Sequence, residues 1–361
     1  MLTAIVAILI FGGLVSVHEF GHFITAKMSR MYVEEFSIGM GPQIVSKKWG
    51  ETRYSLRLLP LGGYVRVLGE DIEEEERNGI EKIKVPEERR YQNRPVWQRM
   101  IFAAAGSAMN VVSAILIFSV MFFIIGVAVP IENPDTTVAA LVEDGPAAQA
   151  GLLPGDKIVS VDGQTVATWE ELNKHISDAS VETPMAVIVD RQGEQIALTI
   201  LPELSEDGKR SMLGIYAQSA TRQAVGPIKS IQLGCNATWQ MTVAMVDVLG
   251  DLFTGKIDIM DDEEGLTGPV GIVQIIDQST KAGWIYVMNL AALLSINLAV
   301  INLLPIPSLD GSKLIFLLIE GVRGKAIDPM KEGYVNFIGF SLMMLLIVFV
   351  TYKDIVRLFT S

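Results

Sequence analysis

Four apolar runs stand out along the chain, at about residues 2–24, 100–129, 284–304 and 335–352. A helix rises about 1.5 Å per residue, so each run is near the length that crosses the roughly 30 Å hydrocarbon core of a bilayer. The pattern predicts four transmembrane helices. His18 and Glu19 interrupt the first run. That run shows no basic leader and no small-residue cleavage site, so a resident span is expected there and not a removable signal sequence.

Between the second and third runs the periodicity changes. Residues 138–142 and 157–161 read as strands, 147–151 as a short helix, and Asp162-Gly163 as a tight turn. Residues 168–179 have helical spacing, with Thr168 as N-cap and Glu171 three positions on, the pattern of a capping box. Residues 185–189 and 195–201 read as a hairpin across Arg191-Gln192-Gly193. A small strand-rich domain with two helices is expected. After it, Ile228, Ile231, Trp239, Val243, Val246 and Leu249 recur at helical spacing. They predict a helix over 228–252 that lies against the membrane or against the strand-rich domain, or packs by an ordinary amphipathic face.

Composition agrees with a membrane protein: half of the 361 residues are hydrophobic and the mean hydropathy is +0.38. A formal charge of −12, with no basic stripe interleaved with aromatics, argues against a nucleic-acid partner. The acidic runs at 70–76 and 258–264 read as solvated loops. Lys27, Arg30, Lys47, Lys48, Arg53, Arg57 and further basic residues up to Arg99 fill the stretch between the first two spans. The positive-inside rule places that stretch in the cytoplasm, segment 130–282 outside, and the 305–332 loop, with Lys313, Arg323, Lys325 and Lys331, inside again. The expected organisation is a membrane core over 1–129, a domain over 131–216, a linker over 217–282 and a second membrane core over 283–361.

The candidate chemistry lies in the first span. Residues four apart on a helix share a face, so His18 and His22 present two imidazoles suited to one zinc ion, with Glu19 beside them as a general base. Ionisable groups inside a span are costly and mark function by default. A catalytic zinc needs a third protein ligand. His175, the remaining histidine, and Cys235, the sole cysteine, both fall in the outside segment, where His175 reads as an exposed polar residue. The lone cysteine also rules out an intrachain disulfide. A carboxylate is therefore required, and Asp310 is the best candidate, with Glu320, Asp328 and Asp354 as weaker alternatives. It follows Pro305 and Pro307, which stop a helix at membrane depth, a break tolerated where the chain is buried or lines a wet cavity. Both motifs fall near the cytoplasmic ends of their spans.

His18-Glu-Phe-Gly-His22 and Asn302-Leu-Leu-Pro-Ile-Pro-Ser-Leu-Asp310-Gly311, on either side of the inserted domain, resemble the site-2 proteases, a family of intramembrane zinc metalloproteases. Segments 36–42, 59–65 and 268–272 support the likeness, which spans nearly the whole chain and is nearest to the RseP-like branch with a single PDZ domain. Gly145-Pro146-Ala147-Ala148, Pro154-Gly155-Asp156-Lys157 and Val161-Asp162-Gly163 resemble a PDZ domain of the kind attached to bacterial proteases. If the domain is circularly permuted as in those proteases, Leu213-Gly214-Ile215 would face a peptide terminus. Ser107 and Ser312 depart from the family pattern, which commonly has Pro and Gly there.

The resemblance implies a polytopic α-helical membrane protein of four transmembrane helices with a membrane-associated β-sheet, carrying an inserted α/β PDZ domain. It implies Zn2+ held by His18, His22 and Asp310, with Glu19 as general base and Asn302 positioning the substrate backbone or stabilising the oxyanion. Segment 34–67 would form a reentrant sheet that receives an unwound substrate by strand addition. The implied substrates are single-span membrane proteins, anti-sigma factors or remnant signal peptides, cleaved in a bacterial cytoplasmic membrane in regulated intramembrane proteolysis. A peptide or partner at the PDZ domain and the lipid bilayer complete the expected partners. Two other classes compete. A zinc transporter would need polar ligands along several spans, and the second and fourth carry almost none. An inactive PDZ-bearing scaffold would not need the intact His, Glu, His and Asp set.

Overall fold

The computed structural model describes residues 2–70, 85–132, 134–205, 210–218, 220–256 and 268–360. Most of both acidic runs, 71–76 and 258–264, lies outside these residues. The chain forms two compact units, residues 1–124 with 226–361, and residues 125–225.

The first unit is helical. Among its described residues, four helices are long and apolar enough to cross a membrane: α1 (Leu2–Met28), α2 (Val96–Ile125), α7 (Trp284–Leu303) and α9 (Pro329–Thr360). Three bounds differ from the hydropathy reading. Helix α1 continues to Met28, because Lys27 and the residues before it are helix-compatible though no longer uniformly apolar. Helix α2 starts at Val96 and stops at Ile125, because Gly126 turns the chain into the left-handed region at φ 77°. Helix α9 carries Lys331, Glu332, Lys353 and Asp354 in its end turns, where charges mask a helix from hydropathy without breaking it. Within α1, Ser16 and Thr25 donate to the carbonyls of Gly12 (2.6 Å) and Gly21 (2.9 Å), so their hydroxyls are satisfied without water.

Between α1 and α2 the chain forms a twisted sheet from β1 (Val33–Trp49) and β2 (Thr52–Val67). Residues 35–38 lie between two partners, 63–66 on one side and 53–56 on the other, while 53–56 also pairs with 45–48. Gly39, Gly41 and Gly62 take positive φ where the strands double back, and a side chain on Gly39 would meet the Leu59 carbonyl at 2.6 Å. Glu35, 5% exposed, ties the strands together through Ser55, Arg57 (3.0 Å) and Arg66 (3.6 Å). Ala26, Met31, Val33, Val67, Tyr91 and Phe102 pack the sheet against α1 and α2. The tip is anchored where Glu51 accepts from Lys27 (2.7 Å) and Arg89 (2.8 Å).

Helix α5 (Pro227–Phe253) reverses the ordinary packing expected of an amphipathic helix. Its buried positions are Ser230 and Thr238, and a side chain on Gly234 would run into Ser119 and Ile115 of α2. Ile228, Ile231, Trp239, Val243 and Val246 are exposed. Small residues let the backbone approach α2, and the large apolar ones face the surroundings, the arrangement that suits lipid. The hydropathy pattern alone does not mark helix α6 (Pro269–Ala282); the carboxylate of Asp354 accepts from Gly268 N (3.2 Å) and Gly271 N (2.8 Å) at its start. Helix α8 (Asp310–Arg323) follows the Pro305–Pro307 break.

The second unit holds a four-stranded antiparallel sheet in the order β6 (Gln164–Thr165), β5 (Lys157–Val161), β7 (Met185–Arg191), β8 (Glu194–Ile200). Two helices, α3 (Pro146–Gln149) and α4 (Trp169–Ser177), accompany it. The capping box at Thr168 and Glu171 forms. The turns at Asp162-Gly163 and Gln192-Gly193 each have two positive φ values, matching the strand twist. Ile158, Leu172, Ile176, Met185, Val187, Val189 and Leu213 fill the core. Buried Asp156 accepts both Nε and Nη2 of Arg191 at 2.7 Å. Strand β9 (Ile215–Ala217) pairs with β4 (Val138–Leu141), and β10 (Ala220–Gln223) pairs with β3 (Val127–Pro130). The last pairing draws residues 125–130 and 217–225 into this unit, beyond the 131–216 bounds read from the sequence.

Candidate metal centre and active site

Helix α1 sets His18 and His22 one turn apart, and the loop from α7 to α8 brings Asp310 to them from nearly 300 positions along the chain. Asp310 Oδ2 lies 3.1 Å from His18 Nε2 and 3.2 Å from His22 Nε2, and the two Nε2 atoms are 3.2 Å apart. Zinc bonds of about 2.0–2.1 Å in tetrahedral geometry place neighbouring ligand atoms about 3.3 Å apart. The triangle thus has the size and the N, N, O donor set of a three-ligand site for the borderline ion Zn2+, and these residues could hold a metal.

The surroundings fit the same use. His22 Nδ1 lies 2.8 Å from the Phe102 carbonyl, which can only accept, so the ring's proton sits on Nδ1 and Nε2 is left as the lone pair. Gly106 packs against both rings: a Cβ there would stand 2.5 Å from His18 Nε2 and closer still to His22 Nε2. A side chain at this position has no room.

Asp310 is held by a loop with little freedom. The chain leaves α7 at Leu304 in extended geometry, and Ser308 adopts φ 76°. That strained residue is pinned by Asn336 of α9, whose Oδ1 accepts from Ser308 N (3.1 Å) and whose carbonyl accepts from its Oγ (2.6 Å). Gly311 is required because a Cβ would enter the carbonyls of Leu303 and Leu304.

A cavity of about 260 Å³ opens on the triangle, lined by Val15, His18, Glu19, Leu298, Asn302, Ser308, Leu309 and Asp310. Glu19 and Asn302 are therefore brought to the same space as the candidate ligands. Gly63 of β2 passes over Glu19, whose Cγ lies 3.2 Å from where a Cβ on Gly63 would be.

The alternative carboxylates have other partners. Glu320 is paired in two-pronged fashion with Arg99, Asp328 accepts from Met330 N at 3.1 Å at the start of α9, and Asp354 caps α6. His175 is half-buried on α4 of the other unit, and Cys235 is exposed on α5. The roles of the Phe102 carbonyl and of Asn336 were invisible in the sequence, since neither carries a motif.

Residues 6–346 match the model of peptidase family M50. The regulator of sigma-W protease RasP of Bacillus subtilis is 33% identical over 427 aligned positions, covering 99% of each chain. The zinc metalloprotease RasP of Bacillus licheniformis is 34% identical, covering 99% of this chain and 100% of that protein. Among solved structures, the PDZ domain of an SdrC-like protein from Listeria monocytogenes matches 25% of this chain and 94% of its own at 20% identity and a TM-score of 0.22. The chain belongs to peptidase family M50 and is an integral-membrane zinc metalloprotease.

Proposed function

We propose that His18, His22 and Asp310 hold the zinc and that Glu19 and Asn302 carry out the chemistry on the unwound transmembrane segment of a single-span membrane protein. The observation that carries this reading is the three-ligand triangle lying at a cavity that Glu19 and Asn302 also line. Zinc bound there supplies Lewis acidity toward the scissile carbonyl and lowers the pKa of attacking water. Glu19 accepts that water's proton and returns it to the leaving amine. Asn302 donates from its amide to the oxygen on which negative charge develops. A helical substrate hides its carbonyls in hydrogen bonds, so it must unwind before attack. Strand 63–67, ladder-paired to 33–38 and passing close over Glu19, offers an edge to which the unwound segment adds.

The basic stretch from Lys27 to Arg99 supports an orientation with the site open to the cytoplasm of a bacterial inner membrane and the inserted domain on the other side. The RasP relative is named as a regulator of sigma-W, which supports anti-sigma factors as a substrate class for this chain, with remnant signal peptides as a second. The inserted domain would take a peptide or partner, screening substrates before cleavage.

Glu19→Gln tests the chemistry. Detergent-purified protein should keep its zinc and lose cleavage of a single-span model substrate by a factor of about 10²–10⁴. Cleavage at the wild-type rate would sink the assignment of Glu19.

A further inference from the structure

Helix α2 presents Phe102, Gly106 and Asn110 at intervals of four, hence on one face, and that face meets His22 and His18 of α1. The Phe102 carbonyl serves His22. It already lies within a helix, but a carbonyl oxygen has two lone pairs, and the missing side chain at Gly106, one turn on, opens the approach to the second. Asn110 stands in the equivalent place for His18: its Nδ2 is 3.3 Å from His18 Nδ1. Asn110 is 0% exposed, and its Oδ1 is buried with no hydrogen-bond partner. The Asn110 backbone is itself fixed, because its carbonyl accepts from Ser295 Oγ of α7 at 2.8 Å.

A neutral imidazole carries one proton. If His18 gives its Nε2 lone pair to a metal, that proton must be on Nδ1, and a buried Nδ1–H needs an acceptor. Nδ2 of Asn110 cannot accept. Its Oδ1 can, and a half-turn of the amide about the Cβ–Cγ bond exchanges the two atoms. The arrangement in which Nδ2 faces the ring instead serves a His18 whose Nε2–H donates to Asp310 Oδ2 at 3.1 Å. One side chain can therefore satisfy either tautomer.

Resting on the zinc assignment above, we infer that Asn110 is the positioning residue for His18: it turns its amide oxygen to Nδ1 and so fixes the tautomer that leaves Nε2 for zinc. Outer partners of this kind orient metal-ligating histidines, and their loss typically weakens metal affinity about 10–100-fold. Asn110 touches neither substrate nor the reacting atoms in this role. It acts through His18.

The test uses the full chain in detergent, with zinc affinity read by chelator competition and ligand geometry read by the visible spectrum of the cobalt-substituted protein. Asn110→Leu keeps the volume and removes the acceptor; zinc affinity should fall about 10–100-fold and the cobalt spectrum should change. Asn110→Asp keeps an acceptor oxygen and should restore both to near wild type. Wild-type affinity and an unchanged spectrum in Asn110→Leu would overturn the inference. So would an Asp variant as impaired as the Leu variant, since a role in packing alone would not distinguish an acceptor from an alkyl group. If the Leu variant does not fold, the Asp variant decides: near-native affinity supports the inference and a loss of 10-fold or more overturns it. His18→Ala separates the two levels. Loss of zinc there upholds the ligand assignment on which Asn110 depends, and retention of zinc overturns that assignment and the inference with it.

Discussion

Gly106→Ala puts one methyl group where the two candidate zinc ligands meet. The Cβ would stand 2.5 Å from His18 Nε2, a separation that side-chain carbons do not show below 3.0 Å, and nearer still to His22 Nε2. Ordinary contact begins at about 3.5 Å, so at least one ring must retreat by about 1 Å. The helices cannot move apart to make room cheaply, because Gly21 of α1 is already against the Ala105 carbonyl and 2.9 Å separates its would-be Cβ from Met109 Cβ. Zinc sites tolerate about 0.2 Å in ligand distance. The displacement is several times that, so zinc affinity should fall by about 100-fold or more, beyond the usual loss for a change outside the ligand shell. The assay is zinc content of detergent-purified protein by mass spectrometry, chelator competition, and cleavage of a single-span substrate. Gly13→Ala on α1 is the control, since among the described residues no atom beyond its own turn of helix lies within 4 Å of its Cβ position; it should keep full zinc and activity. A Gly106→Ala protein with wild-type zinc affinity and cleavage would refute the reasoning.

Three further outcomes follow from the packing. Asp354→Ala removes the cap of α6 and should lower stability by about 1–2 kcal/mol with no change in zinc content; loss of zinc would make it a ligand after all. Arg99→Met leaves the Glu320 carboxylate without its partner and should lower stability by about 3–5 kcal/mol, read by denaturant unfolding. Arg99→Met combined with Glu320→Leu should recover most of that, and a double variant as unstable as the single one would count against the pair. In the inserted unit, the hydrogen bonds from Arg191 hold the Asp156 carboxyl below its usual range. A depressed folded pKa stabilises at pH values above the unfolded value of about 3.9 and ceases to do so as pH falls through the folded one. Asp156→Asn should thus melt below wild type at pH 7, and the gap should close below about pH 4; a gap independent of pH would exclude the ion pair as its source.

Much of this protein can be read without coordinates. The apolar runs give four spans because backbone groups in hydrocarbon must be satisfied within the segment, so length and hydropathy suffice. His18, Glu19 and His22 form a local pattern, and the helix period alone puts the two imidazoles on one face. Capping box, tight turns and hairpin in the inserted unit were equally local. The scarcity of other ligand types points to Asp310, but its 3.1 Å approach to His18 is a property of the folded loop. Nothing in the sequence says that a side chain at Gly106 would strike two rings, that the Phe102 carbonyl faces His22, or that Asn336 pins Ser308. These depend on the distance and rotation between helices far apart in the chain. The direction of α5 was undetermined for the same reason: spacing shows that an apolar face exists, and only packing shows that Ser230, Gly234 and Thr238 turn inward. Local periodicity fixes what each helix can present. Tertiary packing decides what it meets.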